Sequence, residues 1–245
     1  GAARDEIKLI RNAIDKCGRD MVLSLSPGPA SIKDKKFLLE NANMWRMTDD
    51  FWDDWKLLYN MFDRAKDWEG VGCKDHWPDC DMLPLGRLSI LEKEGGGRWT
   101  ALSEDEQKIM MTLWCIFRSP LIFGGDLREN DEFTNSLLTN ERLLDMHKKG
   151  RKPRQIYRKN DLVIWKSRSK DGRIFLAIFN IGEKTISHKI KFSDLGLPGT
   201  EAGAVDIWSG SKGIVKDKES VEMKPHSVEC YEIEAPEETV NHILL

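Results

Sequence analysis

The sequence has no long hydrophobic run and no excess of charge of one sign. None of its 245 residues falls in a segment approaching the roughly 18 apolar residues that a membrane-spanning helix needs. The N-terminus carries no signal-peptide pattern. Its 38 basic and 41 acidic residues are interspersed and leave a net charge of −3. We therefore expect a globular protein that binds neither membranes nor nucleic acid.

Neither the basic residues nor the cysteines are arranged as a binding site. The basic run at residues 148–154 is short and contains glycine and proline, so we interpret it as a solvated linker. The five cysteines, an odd number, form no dense disulfide framework. Cys73, His76 and Cys80 are close in sequence, but their spacing fits no zinc motif and a fourth ligand is missing. The sequence therefore predicts no metal and no cofactor.

Helical and strand-like patterns alternate over residues 1–150. Short apolar runs that end in loops predict buried strands, whereas apolar residues at helical spacing predict the helices between them. The runs lie at residues 21–26, 45–47 and 119–126, and the helical patterns at 5–17, 32–42, 51–64, 103–117 and 132–147. This alternation is typical of a parallel sheet covered by helices.

The pattern changes near residue 150. Residues 156–233 contain short β-rich runs, and Asp171-Gly172 between the first two is a hairpin turn signal. We therefore predict two domains, an α/β domain at residues 1–150 and an antiparallel β domain at residues 151–245.

The stretch at residues 43–55 contains one arginine, four aspartates and three tryptophans within thirteen positions. If Thr48 caps the following helix, Asp49 and Asp50 lie in its first turn, where the helix dipole favours carboxylates. Arg46 is then close enough in the chain for a cation and a carboxylate to border one pocket. An amphipathic helix with an acidic N-terminus explains the stretch equally well.

A second acidic segment, WPDCDML, occupies residues 77–83. Asp79 and Asp81 point the same way if the backbone is extended, so that one of them can enter a pocket beside Met82. An Asp-rich turn after a Trp-Pro pair is the alternative interpretation.

Several ordered motifs resemble one known family. WRMTDD, WPDCDML, LSEDEQKIMMTLW, SPLIFGGDLR and LLTNERLL precede the β-rich region. Together they are similar to the second half of glycoside hydrolase family 27, the α-galactosidases and α-N-acetylgalactosaminidases. The resemblance implies the C-terminal half of a (β/α)8 barrel followed by an antiparallel β-sandwich. The fifth to eighth barrel strands would lie near residues 21–26, 43–47, 80–85 and 119–123.

The resemblance also implies an activity, which is the hydrolysis of terminal α-galactosides with retention by two carboxylates. The family's W-R-x-x-x-D pattern assigns Arg46 to sugar hydroxyls and Asp50 to the general acid/base. It places Asp81 and Met82 on the pocket wall. Trp77 is a candidate for stacking on the galactose ring, although a core position explains it as well.

The family's nucleophile, an aspartate at the end of the fourth strand, is not in this sequence. We therefore expect a separate N-terminal half-barrel chain to dock here and supply it, because four strands cannot close a barrel. The resemblance further suggests a secreted or periplasmic protein.

The substrate is less clearly indicated. Ser26 falls where the family distinguishes a 2-hydroxyl from a 2-acetamido group, and the family's disulfide positions there map to Leu25 and Ala42. α-Galactosidase is favoured by family frequency. The alternatives are α-N-acetylgalactosaminidase, β-L-arabinopyranosidase, an α-glucan-cleaving enzyme and a non-catalytic carbohydrate-binding fragment.

Overall fold

A computed structural model describes residues 4–72, 74–89, 97–197 and 199–234. Its first part alternates helices with short strands: α1 (Arg4–Cys17), β1 (Ser24–Leu25), α2 (Lys35–Asn41), β2 (Met44–Arg46), α3 (Trp55–Asp67), β3 (Trp77–Asp79), β4 (Arg87–Leu88), β5 (Arg98–Trp99), α4 (Glu104–Phe117), α5 (Glu132–Leu138) and α6 (Glu141–Lys149). Short 3-10 helices at Ile32–Asp34 and Leu127–Glu129 precede α2 and α5. Within the described ranges, none of the helices is long and apolar enough to cross a membrane.

The parallel sheet is built from β1, β2 and β3, in that order. A single parallel bridge between Leu83 and Phe123 continues it. The strand expected at residues 80–85 therefore lies earlier, in β3, and the strand expected at 119–123 is reduced to this bridge. The reason is local, because Asp81 has a left-handed backbone with φ of +74°, which ends the extended conformation.

Helix α3 begins at Trp55 rather than at residue 51. Its N-cap is Asp54, whose side chain accepts a hydrogen bond from the Lys56 amide at 2.7 Å. The expected cap at Thr48 is therefore wrong, and Asp50 lies in the loop before the helix instead of in its first turn. A loop position leaves this carboxylate free to contact other strand ends.

Two other boundaries also differ from expectation. The helix expected at residues 132–147 is two helices, because Asn140 accepts a hydrogen bond from the Leu143 amide at 3.0 Å and starts α6. The basic run at residues 148–154 is not a linker, since it ends α6 and begins β6. The capping box from Ser103 to Glu106 is confirmed at the start of α4.

The second part is antiparallel and contains β6 (Arg151–Lys159), β7 (Leu162–Arg168), β8 (Ile174–Asn180), β9 (Ile186–Lys189), α7 (Phe192–Leu195), β10 (Glu201–Asp206), β11 (Lys212–Lys216), β12 (Ser220–Met223) and β13 (Ser227–Ile233). Six strands form one sheet in the order β11-β10-β13-β8-β7-β6, and β12 pairs with β9. The turn expected at Asp171-Gly172 joins β7 to β8, with φ of +89° at the glycine. Residues 235–245 of the expected β domain lie outside the described ranges.

The central strand β8 of the six-stranded sheet is buried on both faces. In β8, Phe175, Ala177 and Phe179 belong to the core that also contains α3 and α4, whereas the alternating residues pack in a second core with β9 and β12. Helix α4 lies between the parallel strands and this sheet. Its Trp114 donates to the Asp81 carbonyl at 3.0 Å, and its Thr112 accepts from Trp208 at 3.2 Å. The β domain therefore supports the strand ends through one buried helix.

Candidate active site

Arg46 is the centre of the candidate site. It ends β2, and its two terminal nitrogens donate to different carboxylates, Nη1 to Asp81 at 2.8 Å and Nη2 to Asp50 at 2.7 Å. Nη2 also donates to the carbonyl of Ser26, just after β1, at 3.2 Å. One guanidinium therefore joins the carboxyl ends of three parallel strands.

Asp81 is held rigidly. The Oδ2 atom that binds Arg46 also accepts from the Phe51 amide at 2.7 Å, which fixes the loop that carries Asp50. The Asp81 carbonyl accepts from Trp114, and its amide donates to Asp79 Oδ1 at 2.9 Å. Asp81 thus contacts neighbours through both its backbone and its side chain, in the left-handed conformation that its φ records.

The charges around Arg46 differ in exposure. The Arg46 side chain is only 12% exposed, whereas that of Asp50 is 76% exposed. Burial works against the charged guanidinium, but the hydrogen bonds that it donates to Asp50 and Asp81, together with the negative charge of these carboxylates, raise the pKa of Arg46. Asp50 presents its carboxylate to solvent beside a permanent positive charge.

Asp79 belongs to this cluster, although sequence reasoning did not assign it a role. Its side chain is buried, and burial raises its pKa to about 6. The hydrogen bond from the Asp81 amide opposes this rise, the negative charge of Asp81 adds to it, and Arg46 opposes it. The sequence signal that could have indicated a role for Asp79 is its position two residues before Asp81. Asp79 positions Asp81.

A cavity of about 340 Å³ opens beside Arg46. It is bounded by α1, α2 and the loop after β1, and its lining includes Leu25, Phe37 and Trp45. The cavity therefore borders Arg46 on the β1 side, and neither Asp50 nor Asp81 lines it.

The other expected site residues are placed differently. Met82 is half-buried and packs against Gly124, where an added Cβ would lie 2.6 Å from its sulfur. Trp77 starts β3 and pairs with Met44, at the opposite end of the strands from Arg46. The structure therefore gathers Ser26, Arg46, Asp50 and Asp81 together, with Met82 next in the chain, but it does not bring Trp77 to them.

In the described part of the chain, no group of three or more His, Cys, Asp or Glu side chains is arranged to hold a metal ion. His76 Nδ1 lies 2.8 Å from the Ala42 carbonyl. Cys80 is fully buried, and burial raises the pKa of its thiol. Cys73 lies outside the described residues.

Active sites of (β/α)8 barrels lie at the carboxyl ends of their strands. Most glycosidases act on the glycosidic bond with a pair of Asp or Glu carboxylates. The parallel strands and the position of the charged cluster therefore define the class of fold, which is that of the (β/α)8 barrels.

Comparison with known proteins narrows this class. The family model described as alpha galactosidase A matches residues 2–149, and the model of the alpha galactosidase C-terminal beta sandwich domain matches residues 159–233. The chain belongs to glycoside hydrolase family 27. The predicted fold class, half of a (β/α)8 barrel followed by an antiparallel β-sandwich, is confirmed.

The matches to individual relatives cover 78–97% of this chain but only about half of each relative. The solved structure of a GH27 β-L-arabinopyranosidase from Geobacillus stearothermophilus is 49% identical with a TM-score of 0.91, and the match covers 97% of this chain and 55% of that one. Alpha-galactosidase 2 from Arabidopsis thaliana is 26% identical over 78% of this chain and 46% of its own length. Alpha-galactosidase from Coffea arabica is 27% identical over 93% and 58%, respectively. The chain spans about half the length of these relatives.

Proposed function

We propose that this chain supplies the acid/base and part of the sugar pocket of a retaining glycoside hydrolase that releases terminal α-linked galactose from oligosaccharides or glycoconjugates. The observation that carries the proposal is the pair of contacts from Arg46 to Asp50 and Asp81 at 2.7 and 2.8 Å. In this arrangement the exposed carboxylate of Asp50 lies beside a fixed hydrogen-bond donor, Arg46, and a fixed acceptor, Asp81, at the carboxyl ends of the strands.

Each side chain has a distinct part in the proposed reaction. Arg46 and Asp81 bind hydroxyl groups of the terminal sugar, since a guanidinium donates and a carboxylate accepts. Asp50, which is the most exposed of the three, gives its proton to the leaving oxygen as the glycosidic bond breaks. It then removes a proton from the water that cleaves the glycosyl-enzyme, so the enzyme returns to its starting state.

The nucleophile is a second carboxylate, and we propose that it comes from outside this chain. Asp79 is buried, and Asp81 is occupied by Arg46 and the Phe51 amide, so neither of these two carboxylates is placed to attack a sugar. A retaining enzyme needs its two carboxyl groups only about 5–5.5 Å apart. The nucleophile must therefore approach Asp50 from across the sugar pocket.

Exposed apolar side chains support an N-terminal half-barrel as its source. Met21 and Val22, before β1, are 40% and 69% exposed, and Ile122 and Leu127, near the opposite edge, are 45% and 71% exposed. Helix α1 has no buried residue. A partner that completes the barrel would cover both edges at once. Sedimentation measures the mass of the protein in solution. A fully folded monomer of 28.2 kDa would contradict this proposal.

A second candidate substrate is a terminal β-L-arabinopyranoside. The arabinopyranosidase from Geobacillus stearothermophilus is 49% identical to this chain, whereas the α-galactosidases from Arabidopsis thaliana and Coffea arabica are 26% and 27% identical. β-L-Arabinopyranose has the ring configuration of α-D-galactopyranose without the hydroxymethyl group. The same Arg46 and Asp81 contacts therefore suit both sugars, and the identity favours the arabinopyranoside.

Hydrolysis assays test the function and choose the substrate. We would compare p-nitrophenyl α-galactoside, p-nitrophenyl β-L-arabinopyranoside and the 2-acetamido analogue of the first. Asp50→Asn should lower kcat by about 10²-fold or more, because it removes proton transfer. Asp49→Asn, a change at the adjacent exposed aspartate, should keep full activity and is the matched control. Equal activity of Asp50→Asn and the unaltered protein would contradict the assignment. Sugar binding without turnover, in an assay that includes the half-barrel supplying the nucleophile, would favour the carbohydrate-binding alternative.

A further inference from the structure

Asp53 is a buried carboxylate in the loop that carries the proposed acid/base. We call this loop, residues 47–54 between β2 and α3, the Asp50 loop. The side chain of Asp53 is 3% exposed, whereas that of Asp50 is 76% exposed. Because a buried charge is costly unless it is paired, the Asp53 carboxylate needs strong partners.

These partners lie on β5 and just after it. Arg98 donates to both oxygens of Asp53, from Nη1 to Oδ2 at 2.5 Å and from Nη2 to Oδ1 at 2.7 Å, and the Ala101 amide donates to Oδ2 at 2.5 Å. Burial disfavours the charged carboxylate, but the hydrogen bonds from Arg98 and Ala101 lower the pKa of Asp53. The ion pair therefore persists at neutral pH, and its two parallel bonds fix direction as well as distance.

Strand β5 is itself held in place. It pairs with β4, and the Thr100 amide donates to the Gly86 carbonyl at 2.9 Å. On the β4 side, the Arg87 carbonyl accepts from the amide of Asp126, in the segment that follows the parallel bridge, at 2.9 Å. The bonds to Asp53 therefore connect the Asp50 loop to a fixed support.

The position of Asp50 depends on the backbone of its loop. The amide of the next residue, Phe51, donates to Asp81 at 2.7 Å, and Asp53 holds the loop two residues further on. Arg46 and Asp81 also contact each other directly at 2.8 Å, independently of the loop. Loss of the Asp53 ion pair should therefore displace the exposed Asp50 carboxylate more than it displaces the two sugar-binding side chains.

We propose that Asp53 and Arg98 are positioning residues that hold the Asp50 loop so that the Asp50 carboxylate meets the leaving oxygen. They act through the loop and do not touch the substrate. The inference rests on the proposed function and deepens it, because it assigns both residues to the proton-transfer step rather than to sugar binding. Misplacing a catalytic group by about 1 Å can cost about 10²-fold in rate, so such positioning has a measurable effect.

Two substrates with different leaving groups test the positioning. The leaving oxygen of methyl α-galactoside needs a proton, whereas the fluoride of α-galactosyl fluoride departs without one. In the complete enzyme, which includes the half-barrel that supplies the nucleophile, Arg98→Met and Asp53→Asn should each lower kcat/KM for the methyl glycoside about tenfold. The value for the fluoride should fall less than about twofold, because the sugar contacts remain.

The two variants complement each other, and a third is the control. Arg98→Met leaves the buried carboxylate without its counter-ion, whereas Asp53→Asn leaves no buried charge and keeps an oxygen for the Ala101 amide. Arg142→Met, at an arginine that is 41% exposed against 49% for Arg98, should leave both kcat/KM values unchanged. An equal fall on the two substrates in both Asp53→Asn and Arg98→Met would overturn the inference, as would no fall on either.

Amide hydrogen exchange tests the positioning without catalysis. If the unaltered enzyme hydrolyses neither substrate, the proposed function is wrong, and exchange then decides the inference. In Asp53→Asn the Phe51 amide should exchange about tenfold faster than in the unaltered chain, relative to the amides of α4, because the loop opens more easily. An unchanged Phe51 rate, or an equal change in Phe51 and α4, would overturn the inference.

Discussion

The two regions of this protein are built from opposite kinds of strand. Strands β7 and β8 are seven residues long and pair along their whole length, and every residue of β8 is buried. Strands β1 to β3 are two or three residues long. Their ends are joined instead by side chains around Arg46. The antiparallel region thus has long backbone pairings, whereas the half-barrel that carries the site adds charged contacts at the strand ends to short ones.

This difference predicts which substitutions should mainly change stability and which should mainly change activity. Truncations of buried side chains in the six-stranded sheet should lower the free energy of unfolding, since they remove apolar contacts from a dense core. Changes around Arg46 should alter activity more than stability, because most of the groups involved are partly exposed. The following changes test this separation.

The largest effect on stability is expected at Phe179. Its ring is fully buried and lies 5.0 Å from that of Phe62, across the contact between β8 and α3. Phe179→Ala should lower the free energy of unfolding by about 3–5 kcal/mol. Urea unfolding measures this change, with Ile214→Ala at an exposed position as the control. A loss of less than about 1 kcal/mol would mean that this core is not tightly packed.

Arg46→Lys is expected to lower activity more than it lowers stability, the opposite of Phe179→Ala. A single ammonium cannot reproduce the fork that binds Asp50 and Asp81 from different nitrogens. We expect kcat/KM to fall about 10²-fold while the loss of stability stays below that of Phe179→Ala. Arg142→Lys, at an arginine that is 41% exposed and 3.8 Å from Glu232, is the matched control. Activity within threefold of the unaltered protein would remove Arg46 from the site.

Asp79 should make stability depend on pH in the less usual direction for an aspartate. Burial raises its folded pKa to about 6 from an unfolded value of 3.8, so the folded protein binds this proton at a higher pH than the unfolded chain does. The free energy of unfolding should therefore rise as pH falls from about 7 toward 4, by about 1–3 kcal/mol. Asp79→Asn keeps an oxygen for the Asp81 amide but cannot ionise. It should flatten this dependence in urea unfolding at pH 4.5 and 7.5, and an unchanged slope would contradict the assignment.

The smallest effect is expected where α4 meets the β domain. Trp208→Phe removes the hydrogen bond to Thr112 but keeps most of the ring, and it should cost about 0.5–1.5 kcal/mol of the free energy of unfolding. The partner change Thr112→Val isolates the contact, because the double variant should lose little more than either single one. Fully additive losses would show that the contact contributes nothing.

Sequence patterns predicted the features that depend on near neighbours. The capping box at Ser103 and the turn at Asp171-Gly172 both depend on a few adjacent residues, and both were predicted correctly. The loop position of Asp50 was missed. It depends on the Phe51 amide contacting Asp81, thirty residues further along the chain. No local propensity reports such a contact.

The candidate site shows the same division. The family resemblance predicted Arg46 and Asp50 from a motif, whereas the positioning role of Asp79 follows only from its burial in the folded protein. Trp77 has the chemistry to stack on a sugar, but the register of β3 places it at the opposite end of the strands. The sequence therefore predicted which residue types the site needs, but not at which end of a strand each of them lies.

Helix α4 is buried at ten of its fourteen residues, and its Glu106 accepts a hydrogen bond from His226 of the β domain at 2.8 Å. Opening this helix would expose the interior of both regions at once. Its amide hydrogens should therefore exchange with solvent only when the whole molecule opens, and they should be the slowest of the chain. One helix would then couple the opening of the catalytic strands to that of the sheet behind them, so the two regions respond to heat and denaturant as a single cooperative unit.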